Sequence, residues 1–171
     1  LIYGQGLPLT AQKMGLALDQ AKLARNAHAR SLPGIPILQQ NLKDLDADGK
    51  PLWTWGGRRY FCEKPAWNKK FQRWMTFGYK QLNKLIQGSA ADVTKQAMVN
   101  YDSLGDFADE NPLILQVHDE LLNGVADMRL HLEVHRRVRD CMADVKGISI
   151  PMMSDGASSR TSWHNMKKVK V

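Results

Sequence analysis

The sequence predicts an α+β fold, helices packed on a small antiparallel sheet, and three observations carry that reading. Long stretches repeat apolar residues at helical spacing, two pairs of short β-prone runs flank turn-like tips, and no internal repeat or interdomain linker divides the chain. With 171 residues, of which 43% are apolar and 24% charged, the chain can bury a real core and does not have the composition of a disordered segment.

Taken in order, Leu16, Ala17, Gln20, Leu23, Ala24 and Ala27 recur at helical spacing and predict helix from Leu9 to Leu32, weakened near Gly15 and Asp19. Pro33-Gly34-Ile35-Pro36 is expected to stop it, because proline cannot continue the hydrogen-bond ladder, and a polar stretch from Gln39 to Lys50 follows. Leu52–Trp55 and Arg59–Cys62, around Gly56-Gly57, predict a hairpin. Trp67 to Ile86 reads as a second long helix. A third runs from Ser89 to Leu104, with Ala90, Val93, Ala97 and Tyr101 on one face and Ser89 and Asp92 spaced like a capping box. Pro112–Val117 and Leu121–Val125 are strand candidates on either side of the polar tip His118-Asp119-Glu120. A fourth helix carries Leu130, Val134, Val138, Cys141 and Val145 on a stripe, and Ile148–Met153 is expected to add a last strand.

A net charge of +7 and a sequence pI near 9.5 favour a polyanionic partner. The charge is concentrated. Between Arg58 and Lys95 stand nine basic residues (Arg58, Arg59, Lys64, Lys69, Lys70, Arg73, Lys80, Lys84, Lys95) against Glu63 and Asp92, with Trp67, Phe71, Trp74, Phe77 and Tyr79 interleaved. That mixture fits a phosphate-tracking surface and equally an amphipathic helix with a solvated basic face, its aromatic residues Trp67, Phe71 and Trp74 in the core. Cys62 and Cys141 form no CxxC pair, so neither a zinc site nor a disulfide framework is indicated. No apolar run approaches the roughly 20 residues that span a bilayer, and no signal-peptide pattern opens the chain. A soluble, reducing compartment is expected. Leu1-Ile2-Tyr3-Gly4 reads as the middle of a longer sequence.

The chemistry concentrates in Leu113-Ile114-Leu115-Gln116-Val117-His118-Asp119-Glu120-Leu121-Leu122. Two adjacent carboxylates beside a histidine, set between apolar strands, are costly to desolvate unless a cation pairs with them. Magnesium suits such a place, since it takes a few carboxylates together with substrate phosphates. A plain polar hairpin turn is the other reading of the same residues.

Four segments resemble DNA polymerase family A, in the family's order. Gln116-Val117-His118-Asp119-Glu120 is similar to motif C, and Gln87-Gly88-Ser89-Ala90-Ala91-Asp92 to the segment that opens a long palm helix. Leu1-Ile2-Tyr3-Gly4 resembles the end of motif B on the fingers helix, and Gly57-Arg58-Arg59 the segment before a palm strand. The likeness runs from Leu1 to about Trp163, and Gln81 to Ser89 looks closer to phage members than to bacterial ones. The resemblance implies a fingers part over residues 1–50 and a palm over residues 51–171, within one polymerase domain.

Carried over residue by residue, Asp119 would be a ligand of two catalytic magnesium ions and Glu120 would lie beside them near the primer end. His118, Asn83, Gln87, Tyr3 and Arg58 would contact DNA. Tyr3 would also stack near the incoming nucleotide. The implied reaction is attack of a primer 3′-hydroxyl on a deoxynucleoside triphosphate, in the cytoplasm of a bacterium or a phage-infected host. The family's other metal-binding aspartate belongs to motif A, which has no counterpart in these residues. An N-terminal portion bearing motif A is therefore an expected partner, beside primer–template DNA and the triphosphates, and the chain alone is expected to be inactive. Tyr79 stands where bacterial members have a DNA-contacting arginine.

Other signals are weaker. Asp44-Leu45-Asp46-Ala47-Asp48-Gly49 imitates the start of a calcium loop, but Trp55 occupies the position of its bidentate glutamate, so a polar turn is expected. His131 and His135 stand four apart without an adjacent glutamate, and Gly4-Gln5-Gly6 lacks the third glycine of a dinucleotide fingerprint. A non-catalytic nucleic-acid-binding module is the rival reading. It gives no use to carboxylates beside a basic groove. A phosphohydrolase built on His118-Asp119 would need further His and Asp ligands.

Overall fold

Gly15, in the left-handed region at φ 64°, ends the first helix where the sequence places a break. The computed structural model describes residues 6–169. In them, helix α1 (Leu7–Met14) is followed by α2 (Leu18–Ser31), and the chain divides into two compact units between Ser89 and Ala90. Among the described residues no helix is long and apolar enough to cross a membrane.

In the first unit, Pro33-Gly34-Ile35-Pro36 does not only stop α2. It starts α3 (Gly34–Ala47), with Pro33 at the N-cap. Proline is tolerated in a first turn because the N–H groups there have no intrahelical partner to lose. The would-be calcium loop is the end of α3, and its carboxylates have partners. Asp44 accepts from Gln40 at 2.8 Å, Asp46 from the buried Gln81 at 2.6 Å, and Asp48 pairs with Lys50 at 2.9 Å.

Strands β1 (Leu52–Trp53) and β2 (Arg59–Tyr60) form the expected hairpin. The core beneath it is Leu42, Leu52 and Leu82, with Ile35, Leu45, Tyr60 and Leu85 packed around them.

The predicted helix over Trp67–Ile86 is wrong in its first half. Residues Ala66–Asn68 (β3) and Arg73–Met75 (β4) pair as a second hairpin, and α-helix begins only at Gln81, after a 3-10 turn over Gly78–Lys80. Local polar chemistry overrides the helical period. The Asn68 carboxamide oxygen accepts from the backbone N–H of Lys70 and of Phe71, both at 3.0 Å, and Gln72 takes a φ of 46°. Trp67, Phe71 and Trp74, expected in a core, are 51%, 57% and 66% exposed.

Helix α4 (Gln81–Asp102) merges the end of the predicted second helix with all but the last two residues of the third. Ser89 is therefore interior to a helix, not the first residue of a capping box.

In the second unit the expected hairpin is β5 (Leu113–Val117) paired with β6 (Glu120–Asn123), Val117 opposite Glu120. Helix α5 (Asp106–Glu110) precedes it and α6 (His131–Ala143) follows. Val134 and Cys141 of the predicted stripe are buried. Tyr101, Ala108 and Cys141 form the core with Leu104, Phe107, Leu113 and Val138.

Ile148–Met153 is not a strand. Two short strands appear later instead, β7 (Ala157–Ser158) and β8 (Lys167–Lys168), paired with each other. The α+β class holds, but the described strands make four separate two-stranded ribbons in place of one sheet.

Candidate active site

The acidic tip is built from its base upward. Tyr101, 1% exposed, donates its hydroxyl to the carbonyl of the fully buried Asn111 at 2.7 Å, and Asn123 donates its carboxamide to the same carbonyl at 3.3 Å. The Gly124 N–H donates to the Pro112 carbonyl at 2.9 Å. These bonds tie both ends of the β5–β6 hairpin to helix α4. Burial raises the Tyr101 pKa, which keeps the phenol protonated and able to donate.

At the other end, His118 and Asp119 form the turn. His118 has a φ of 53°, an uncommon conformation for a residue with a side chain, and the Gln116 carboxamide donates to its carbonyl. His118, Asp119 and Glu120 are all exposed. Among the described residues neither carboxylate is paired with a cation, and no three His, Cys, Asp or Glu side chains converge as a metal cluster. Asp119 and Glu120 stand on the wall of a groove of about 760 Å³, whose apolar lining includes Val93, Ala97, Leu115, Val134 and Met152. Two hard oxygen donors with free lone pairs fit magnesium chemically, as part of a coordination shell.

The remaining expected site residues belong to the first unit or lie outside the described residues. Asn83 and Gln87 are exposed and four residues apart on α4, so they share one face in successive turns. Gln87 sits in the second turn of that helix and cannot cap a helix starting near Ser89. Arg58 is half-buried, its N–H donating to Thr54 Oγ1 at 3.1 Å beside the β1–β2 turn. Tyr3 lies outside the described residues.

Two residues of the Gln87-to-Asp92 segment have a structural duty that sequence reasoning missed. A Cβ on Gly88 would stand 2.7 Å from Thr54 Cγ2 and 2.9 Å from Tyr60 Cε2, so only glycine lets α4 approach the β1–β2 hairpin this closely. Ser89 Oγ accepts from the Trp55 N–H at 3.0 Å on the same contact. Asn111 was also missed. An asparagine ahead of Pro112 was its only signal.

His131 Nδ1 lies 2.6 Å from the Met128 carbonyl oxygen, and His135 packs on Gly156, where burial lowers its pKa. Cys62 and Cys141 are free thiols, and burial pushes the Cys62 pKa up to about 11, so it is not a reactive thiolate.

The sequence profile of DNA polymerase family A matches residues 1–165. The chain belongs to DNA polymerase family A. Among its relatives, DNA polymerase I of Lactococcus lactis subsp. cremoris is 28% identical over 98% of this chain, and that of Mycobacterium leprae 30% over 89%. A DNA-directed DNA polymerase of Pseudomonas phage M6 is 32% identical over 77% of the chain. The chain spans 19%, 17% and 18% of these three, about a fifth of the length of the relatives it matches. Among solved structures, the polymerase domain of Pol1 from M. smegmatis, in complex with DNA primer-template and dNTP, is similar with a TM-score of 0.74 at 29% identity. That match covers 88% of this chain and 26% of the other.

Proposed function

We propose that these residues are the C-terminal portion of the polymerase domain of a template-directed DNA polymerase, residues 1–50 contributing to the fingers and 51–171 forming the palm. One observation carries the reading: in a family A chain, Asp119 and Glu120 stand side by side, exposed and, among the described residues, unpaired with any cation, at the tip of a hairpin whose base is locked into the core. Its setting is the cytoplasm, and its partners are primer–template DNA and deoxynucleoside triphosphates.

Asp119 is the metal ligand in this proposal, and Glu120 lies beside the primer end. Magnesium, when bound, supplies electrostatic stabilisation of the attacking and leaving oxygens in nucleotidyl transfer. His118 holds the primer strand, its exposed ring set by the turn it helps to form. Asn83 and Gln87, on one face of α4, donate to minor-groove acceptors common to every base pair, so they register pair geometry without reading sequence. Arg58 neutralises a backbone phosphate, and Tyr3 stacks near the nascent pair.

Only one of the family's two metal-binding aspartates is present in these 171 residues. Alone, the chain is expected to incorporate no nucleotide in a primer-extension assay with magnesium and all four triphosphates. Supplying an N-terminal portion that carries motif A should restore extension. Robust templated extension by the pure chain would overturn the shared-centre reading. DNA binding with no extension under any complementation would reduce the chain to a binding module.

A further inference from the structure

We propose that the β3–β4 hairpin is a stacking platform for single-stranded DNA, a contact additional to the catalytic hairpin. The inference rests on the reading of the chain as a DNA polymerase portion. Trp67 and Trp74 are directly opposed across the two strands and so share one face, with ring centroids 5.9 Å apart at an interplanar angle of 72°. An edge-to-face pair leaves ring surface open, and both indoles are more than half exposed.

The connecting turn and the first residue of β4 add the cations. Lys69, Lys70 and Arg73 are exposed, and the last two stand 5.8 and 5.6 Å from the ring of Phe71. No carboxylate occurs in the sequence from Lys64 to Ala91. The nearest one before it, Glu63, is engaged by Lys80 and Lys84 at 2.8 and 3.2 Å.

Rings beside cations, with no carboxylate in the hairpin's own sequence to repel phosphate, suit a polyanion that also presents flat apolar faces. Unpaired bases present such faces and a duplex interior does not, so the ligand is a single strand. The turn is preorganised for it by the Asn68 side chain, so little ordering cost falls on the protein.

The test measures affinity of the 171-residue chain for a fluorescein-labelled oligothymidylate and for a blunt primer–template duplex. W67L/W74L should weaken oligothymidylate binding roughly five- to a hundredfold while sparing the duplex. W67F/W74F keeps rings in place and should recover most of that loss. K69E/K70E/R73E should weaken both ligands and flatten the slope of log K against log salt. Equal loss on both ligands from W67L/W74L, or no loss on either, overturns the platform. So does a change confined to self-association or to assembly with the motif A portion. If the parent chain binds the duplex but the tryptophan variants keep full single-strand affinity, this inference alone fails. If the parent binds neither ligand, the polymerase reading falls with it.

Discussion

The β5–β6 and β3–β4 hairpins share a backbone device and differ in nearly everything else. Each turns through a residue with a side chain and a positive φ, His118 at 53° and Gln72 at 46°, and these are the two such non-glycine residues described. The acidic hairpin is wired at its base into a buried network of Tyr101, Asn111 and Asn123. The basic hairpin is held by its own Asn68 turn and its exposed tryptophan pair. On the proposed roles, a carboxylate that meets a metal within tenths of an ångström would need a rigid mount, whereas a surface that meets a flexible strand would not.

Replacing the anchors should show that contrast as stability. Tyr101→Ala opens a cavity in the second unit's core and leaves the Asn111 carbonyl short of a donor, at a cost of about 3–5 kcal/mol. Trp74→Ala removes an exposed cross-strand partner and should cost about 1 kcal/mol or less. Urea unfolding of both variants checks the ranking. Similar costs would mean that the basic hairpin is also part of a core.

A smaller effect tests whether the exposed face of α4 reads the duplex. In a polymerase restored with its motif A portion, Gln87→Ala should lose one neutral hydrogen bond, about 0.5–1.5 kcal/mol, a several-fold drop in extension. The loss should be barely sensitive to salt and larger from matched than from mismatched primer ends, because a mismatch displaces the acceptor. Unaltered extension from both kinds of end would remove Gln87 from the DNA contact.

The smallest effect separates the two hairpins by pH. His135 packs on Gly156, with Arg139 and Asp155 also near, and burial depresses its folded pKa below the unfolded value. The unfolded chain then binds more protons, so His135 contributes stability above the unfolded pKa that is lost as pH falls through the folded one. Lowering the pH from about 7.5 to about 5.5 should loosen the acidic hairpin's unit slightly and leave the Trp67–Trp74 fluorescence unchanged. His135→Gln should remove the difference.

The two hairpins also differ in how far the sequence reveals them. β5–β6 was legible because its apolar strands flank a short polar tip. β3–β4 was hidden because Trp67, Phe71 and Trp74 stand at i, i+4 and i+7, a helical period. The residue that decides against helix is Asn68, whose side chain bonds the turn and carries no periodic signal. In the same way, α3 was obscured because a proline in a first turn and a proline after a last turn look alike in one dimension. Asn111 escaped notice because burial of a polar side chain depends on partners distant in sequence.

Asp119→Asn in the restored enzyme tests the central claim most directly. The change keeps the shape of the side chain and removes its charge, so it should leave the melting temperature unchanged and primer–template affinity within about twofold of the parent. Single-turnover extension at saturating DNA and magnesium should fall on the order of a thousandfold or more, the loss of several kcal/mol of metal-borne stabilisation. A variant that folds, binds DNA and extends primers within about tenfold of the parent would contradict the assignment of the acidic tip as the metal-binding catalytic centre.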